Sequence, residues 1–135
     1  MKVGVIGCGF FAQNHLHAWR DIDGVDVVAL CDNDQSKLFA TGKEFKIERQ
    51  FTDAVDLFDY GEFDIVDIAT TAPSHRSLVE MAAQNTKHII CQKPFAESVK
   101  NAVTNGIGVM PAYTGILSNE EIDAVSYYVS ESANN

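Results

Sequence analysis

KVGVIGCGFFA, residues 2–12, joins a short apolar run to a glycine turn. The run is compact and rich in β-branched residues, which is typical of a strand buried on both faces. Gly7 and Gly9 follow the run directly, and Ala12 occupies a third small position. This spacing predicts a strand, a tight turn and a helix in immediate succession.

The glycine turn has the residue types that a pyrophosphate site requires. Gly7 permits the tight turn, Gly9 lets the backbone approach a phosphate, and Ala12 lets the helix pack on the strand. Phe10 and Phe11 lie inside the same motif, and we include them among the candidate cofactor-binding residues. The exposed N–H groups at the positive end of the helix would bind the pyrophosphate. A plain strand-to-helix turn can use the same spacing, so the interpretation depends on further residues.

The second apolar segment, VDVVALCD (residues 25–32), is another predicted buried strand, and it ends on Asp32. An acidic residue about 20 positions beyond the glycine turn accepts hydrogen bonds from the ribose hydroxyls of NAD. Its charge would repel the 2′-phosphate of NADP. Asp32 therefore predicts NAD in preference to NADP, whereas the alternative makes it a solvated turn residue before Asn33 and Asp34.

Strands and helices alternate through the rest of the first hundred residues. Further strands are predicted at residues 47–51, 63–70 and 87–92, and helices at 11–22, 33–45, 53–60 and 74–85, with Thr52 or Asp53 as the cap of the third helix. Such alternation indicates the α/β class, with about five parallel strands in a doubly wound sheet that helices cover on both faces.

Polar residues follow the last two predicted strands. Thr70, Pro73 and His75 come after the fourth strand, and Gln92 and Lys93 come after the fifth. In an open parallel sheet the carboxyl ends of the strands form the ligand crevice. We therefore expect these residues to converge on the rim that carries the glycine turn. The other histidines are interpreted as structural.

The composition excludes several classes of function. Ten Lys and Arg against nineteen Asp and Glu give a net charge of −9, which repels a phosphate backbone, so no nucleic-acid partner is expected. No apolar run approaches the roughly 18 residues of a membrane helix, and no signal-peptide cleavage pattern follows the start, so a cytoplasmic location without membrane contact is expected. The three cysteines are too few and too widely spaced for a disulfide framework or a metal site.

Four motifs resemble, in order, the amino-terminal half of the glucose-fructose oxidoreductase and inositol dehydrogenase (Gfo/Idh/MocA) family. They are VGVIGCGFFAQNHLHA, CDND, DIVDIATTAPSHRSLVEMA and HIICQKPFA, and they span residues 2–98. The resemblance implies an NAD(P)-binding Rossmann domain that serves hydride transfer between a nicotinamide cofactor and a hydroxyl carbon of a sugar or polyol. It further implies that Lys93 assists proton transfer and that His75 lines the cofactor edge. The alternatives are a solvent-facing loop lysine at Lys93 and a purely structural histidine at His75, since a histidine at the start of a helix often has only a structural role. Gln92 departs from the usual Glu-Lys-Pro motif, because an amide cannot stabilise the lysine ammonium by charge.

The same resemblance predicts a truncated oxidoreductase. Family enzymes continue with a further strand and a large substrate domain, for which the residues after 98 are too few. We therefore expect residues 1–98 to form the cofactor domain and to have low activity alone, because a surface that positions the substrate is missing. The alternative is a regulatory or interaction module that binds NAD.

Residues 99–135 are predicted to be a loop and an amphipathic helix rather than an independent domain. NAVTNGIGVMPAYTGILSNEEIDAVSYYV resembles the carboxyl-terminal segment of class I cytochromes c, in which a methionine at the position of Met110 is a haem ligand. The C-x-x-C-H attachment motif is absent from the sequence, so no haem is expected and an electron carrier is the remote alternative. Ser118 and Glu121 predict a capping box, and Ile122 and Val125 belong to an apolar stripe that continues to residue 129.

The two resemblances meet near residue 100, which suggests a chimera of two incomplete genes, natural or engineered. Ending the sheet at the fifth strand would leave an unpaired edge. We expect the tail to cover this edge, or the edge to pair with its twin in a homodimer.

Overall fold

A computed structural model of the chain describes residues 1–85, 88–93, 104–105 and 115–133, with side chains in the last helix described as far as Ser126. The chain divides into two compact units, Met1–Gln92 and Lys93–Asn135. The sequence predicted a boundary after residue 98. Among the helices in the described ranges, none is both long and apolar enough to cross a membrane.

The first unit alternates strands and helices along the chain, as the sequence predicted. Its strands are β1 (Lys2–Ile6), β2 (Asp26–Cys31), β3 (Arg49–Phe51), β4 (Ile65–Ile68) and β5 (His88–Cys91). Its helices are α1 (Phe10–Arg20), α2 (Gln35–Phe45), α3 (Ala54–Tyr60) and α4 (Ala72–Asn85). The second unit contains α5 (Asn119–Ala133).

The five strands form one parallel sheet in the order β3-β2-β1-β4-β5. The predicted five-stranded parallel sheet is confirmed. The chain winds outward from β1 to β2 and β3, and then returns to the other side of β1 to form β4 and β5. The winding direction therefore reverses between β1 and β4, and in sheets of this kind ligands bind outside the carboxyl ends of the strands at such a reversal.

Two apolar clusters form the core, one on each face of the sheet. Val3 and Val5 of β1 pack with Leu16 and other residues of one cluster, whereas Ile6 belongs to the other cluster. Side chains alternate along β4 in the same way, which puts Asp67 on the face where α1 packs. This carboxylate has no exposed surface at all, so the layer between the sheet and α1 contains a buried charge.

The helix caps correct some of the predicted boundaries. Asp53 caps α3 by accepting the N–H of Val55 at 2.8 Å, so Asp53 rather than Thr52 is the cap. The prediction that α4 opens at Ser74 is wrong, because the helix begins at Ala72. Pro73 is tolerated there, since N–H groups in the first turn have no helical partner.

The predicted capping box at the start of α5 is confirmed. The N–H of Ser118 donates to the carboxylate of Glu121 at 2.8 Å, and the N–H of Glu121 donates to the hydroxyl of Ser118 at 3.3 Å. Ile122 is 2% exposed, whereas Val125 is 41% exposed. Met110 and most of the preceding glycine loop lie outside the described residues, so the cytochrome-like interpretation of the tail stays a prediction.

Candidate functional site

Four strands of the sheet extend their hydrogen bonding one residue beyond their carboxyl ends. The donors are the N–H groups of Gly7, Asp32, Ala69 and Gln92, which donate to carbonyl oxygens of the neighbouring strands at 2.7, 3.1, 2.8 and 2.8 Å. The residues that follow β1, β2, β4 and β5 therefore lie in one row. Of the polar residues that the sequence predicted on this rim, Gln92 lies in the row and Thr70 directly follows Ala69.

The two glycines of the turn after β1 have different structural roles. Gly7 has a φ of 105°, and a Cβ at this position would lie 2.7 Å from the carbonyl oxygen of Ala69. Only glycine fits there, because the backbone conformation and the contact both exclude a side chain. Gly9 is extended and caps α1 without a side-chain hydrogen bond, and a Cβ on Gly9 would meet nothing within 4 Å. The space above the start of α1 is therefore open.

Asp32 connects the end of β2 to the glycine turn. One carboxylate oxygen accepts the N–H of Cys8 at 2.7 Å, and the other accepts the N–H of Asp34 at 2.8 Å. An ionised carboxylate has about four acceptor sites, so two backbone bonds leave capacity for ligand hydroxyls. Asp32 is thus positioned by the turn that it faces, and it is not a freely solvated turn residue.

A cleft of about 590 Å³ opens along this rim, a volume typical of small-molecule sites. Six of the residues predicted from the sequence line it: Gly7, Gly9, Phe10, Phe11, Asp32 and Thr70. The two phenylalanine rings are exposed and meet edge to face, with their centroids 5.8 Å apart. Ala12 is fully buried, which agrees with its predicted packing role.

The sequence did not predict the other residues that line the cleft, which include Lys37, Thr71 and Ser74. The Ser74 hydroxyl donates to the Thr70 hydroxyl at 2.8 Å or to the Thr71 carbonyl at 2.9 Å, which makes the end of β4 a hydroxyl-rich rim. Lys37 forms an ion pair with Asp34 at 3.2 Å. Hydrogen bonds from the backbone and then the side chain of Lys37 hold the pKa of Asp34 below its usual value.

His75 and Pro73 lie in the first turn of α4 and are not among the described residues that line the cleft. His75 is 1% exposed, and its Nε2 lies 3.0 Å from the carbonyl oxygen of Thr70. The imidazole is therefore within hydrogen-bonding distance of the Thr70 carbonyl and helps to hold the backbone there. Lys93 is exposed and is the first residue of the second unit, and its role stays a prediction.

A partly buried series of polar side chains connects α1, β4 and the end of β5. Both carboxylate oxygens of Asp67 contact His15 Nδ1, at 3.0 and 2.9 Å, and Trp19 Nε1 donates to one of them at 2.6 Å. The other ring nitrogen of His15 lies 3.1 Å from the side-chain nitrogen of Gln92. Sequence reasoning missed this series. The available signal was the acidic residue inside a strand predicted to be buried on both faces, since a buried charge requires partners.

The cysteine thiols do not add chemistry to the site. Burial, followed by the charge of Asp32, raises the pKa of Cys8 and of Cys31 to about 12. Burial also raises the pKa of Cys91 to about 11, with a smaller contribution from Asp67. Thiols that stay protonated are poor nucleophiles. In the described part of the chain, no group of three or more His, Cys, Asp or Glu residues could hold a metal ion.

A parallel sheet with this winding, a glycine turn and an acidic residue after the second strand define a dinucleotide-binding Rossmann domain. A family model described as "Oxidoreductase family, NAD-binding Rossmann fold" (GFO_IDH_MocA) matches residues 1–106. The chain belongs to this family and carries its NAD-binding domain.

Individual relatives agree with the family match. The chain is 59% identical over 101 residues to a D-apiose dehydrogenase of Paraburkholderia graminis, a match that covers 75% of this chain and 27% of the relative. It is 32% identical over 97 residues to an inositol 2-dehydrogenase of Acidothermus cellulolyticus, covering 71% of this chain and 28% of the relative. A crystal structure of an oxidoreductase from Agrobacterium radiobacter in complex with NAD+, L-tartaric acid and magnesium superposes with a TM-score of 0.72 at 54% identity. That match covers 76% of this chain and 30% of the solved one. The chain thus spans less than a third of the length of these relatives.

Proposed function

We propose that NAD binds in the cleft and that the protein serves an oxidoreductase that removes a hydride from a hydroxyl carbon of a sugar or polyol. The observation that carries the proposal is Asp32, whose carboxylate lines the cleft while it accepts the backbone N–H of the glycine turn. The names of the relatives, an apiose and an inositol dehydrogenase, support the substrate class.

The residues of the cleft fit a dinucleotide at two points. The first N–H groups of α1 have no side-chain cap, and the space above Gly9 is open, which suits a pyrophosphate at the positive end of a helix. Asp32 would accept hydrogen bonds from the adenosine ribose. The nicotinamide half would then extend toward the ends of β4 and β5, where the hydroxyls of Thr70 and Ser74 lie.

Lys93 is the proposed catalytic residue. When bound, NAD supplies the hydride acceptor. Lys93 would take part in moving the proton of the substrate hydroxyl, and Gln92 would hydrogen-bond beside it. Support comes from the motif Gln-Lys-Pro, which begins directly after β5, in the row of strand ends that also contains Gly7 and Asp32. A cytoplasmic location is part of the proposal, and it is supported by three free cysteines.

Asp32→Asn tests the preference for NAD. The amide keeps only one of the two oxygens that accept backbone N–H groups, and it loses the charge. Affinity for NAD should therefore fall about tenfold, and the preference over NADP should largely disappear. Titrating both cofactors by calorimetry measures the effect. Asp59→Asn, an exposed change on α3, is the control and should change neither affinity. An Asp32→Asn protein that still prefers NAD as strongly as the parent chain contradicts the assignment.

We further propose that the edge of the sheet at β5 pairs with β5 of a second copy. Among the described residues no strand pairs with the outer side of β5, and Ile89 and Ile90 are 36% and 41% exposed. A lysine on an edge strand opposes pairing. Light scattering should therefore give a dimer for the parent chain and a monomer for Ile90→Lys. If light scattering shows a monomeric parent chain at every concentration measured, the proposal of a dimer is wrong.

A further inference from the structure

We infer that His15 is a positioning residue that holds the Gln92 side chain at the end of β5 under the nicotinamide half of the cofactor. We call the hydrogen-bonded series Asp67, His15 and Gln92 the relay. The inference rests on the proposed function, because it assumes that the cleft binds a dinucleotide.

The chemistry of the three side chains determines which atom donates and which accepts in each hydrogen bond of the relay. A carboxylate can only accept, so the Nδ1 of His15 donates its proton to Asp67. Trp19 donates to the same carboxylate and keeps it from turning. The Nε2 of His15 is then the accepting nitrogen, and the amide N–H of Gln92 donates to it at 3.1 Å. His15 is therefore held as the Nδ1–H tautomer.

Gln92 is held at two points, one through its backbone and one through the relay. Its backbone N–H donates to the carbonyl of Ile68 at 2.8 Å and continues the sheet, while its side chain is held from α1. A buried carboxylate gives the fold no clear gain in stability, since apolar residues of similar volume at the same place often stabilise a protein as much. Here the ring of His15 connects Asp67 to Gln92 at the end of β5. This strand lies beside β4, and the residues that follow β4 line the cleft.

The strand order places this end on the nicotinamide side. Asp32 follows β2, on one side of the glycine turn, and Gln92 follows β5, on the other side. With the adenosine ribose on Asp32 and the pyrophosphate at the turn, the nicotinamide riboside extends toward Gln92. A Gln92 side chain that is ordered in advance lowers the entropic cost of binding that half of the ligand.

His15→Asn tests the inference. The asparagine amide can still donate to Asp67 from nearly the position of Nδ1, but it has no atom at the position of Nε2, so only the Gln92 contact is removed. The dissociation constant for NAD should rise about three- to tenfold. Affinity for ADP, which carries the adenosine and pyrophosphate but lacks the nicotinamide riboside, should stay unchanged. His17→Asn is the matched control, because His17 lies on the same helix, is exposed and contacts Arg20.

The outcomes separate the relay from the proposed function. Equal losses for NAD and ADP, or no loss for NAD, overturn the inference. If the parent chain binds neither ligand, the proposed function fails, and the relay is decided by the ¹⁵N shifts of the His15 ring. The Nδ1–H tautomer then supports the relay, and the Nε2–H tautomer overturns it.

Discussion

Gly7→Ala is expected to lower the free energy of unfolding by about 3 kcal/mol or more and to abolish NAD binding. The φ of 105° is unfavourable for any residue with a Cβ, and the new methyl group would lie 2.7 Å from the carbonyl oxygen of Ala69. The turn cannot move away easily, because the N–H of Gly7 donates a hydrogen bond to the backbone carbonyl oxygen of Cys31 at 2.7 Å. Relief of the clash would separate the ends of β1 and β4, where the cleft lies. Urea unfolding and NAD titration measure the two effects.

Gly9→Ala is the matched control for this prediction. Its backbone is ordinary, and a Cβ there meets nothing within 4 Å, so the free energy of unfolding should change by less than about 1 kcal/mol. NAD affinity should nevertheless fall, because the methyl group would occupy the space that a pyrophosphate needs. If the two variants lose equal stability, the different roles assigned to the two glycines are wrong.

Asp67→Asn is expected to lower the free energy of unfolding by about 3 kcal/mol. The carboxylate is fully buried and takes N–H groups from His15 and Trp19. The amide replaces one acceptor oxygen with a donor, which would face another donor in a site without water access. Each buried donor left unpaired costs about 1 to 3 kcal/mol. Chemical denaturation followed by tryptophan fluorescence is a direct measurement, since Trp19 is the one tryptophan of the chain.

Asp59→Asn provides the comparison for Asp67→Asn, because it makes the same chemical change at an exposed position of α3. Its unfolding free energy should stay within about 0.5 kcal/mol of the parent value. A loss below about 1 kcal/mol for Asp67→Asn would contradict the role assigned to the buried carboxylate.

Most of the fold could be predicted because each element carries its own local signal. Short β-branched runs marked the strands, and the α/β alternation restricted them to one parallel sheet. The start of α4 was misplaced by two residues, since Ser74 resembles a cap while the helix begins at Ala72. Only the fold reveals that Pro73 occupies a first-turn position, where a proline is tolerated.

The site was predictable where it depends on local spacing. Gly7, Gly9 and Asp32 follow from a motif that can be counted along the chain, and all three line the cleft. The relay was not predictable in this way, because His15 lies 52 positions from Asp67 and 77 from Gln92. Their meeting depends on strand order, which places β4 beside β1 and β5 beside β4.

The binding of NAD to the cleft is tested most directly by recording amide NMR spectra while NAD is added. We expect saturable shifts concentrated at Gly7, Gly9, Asp32 and Thr70, which line the cleft at the carboxyl ends of the strands. Signals from the opposite ends of the strands, such as Asp64 before β4, should stay in place. Absence of saturable shifts, or shifts confined to those opposite ends, would contradict the proposed NAD site.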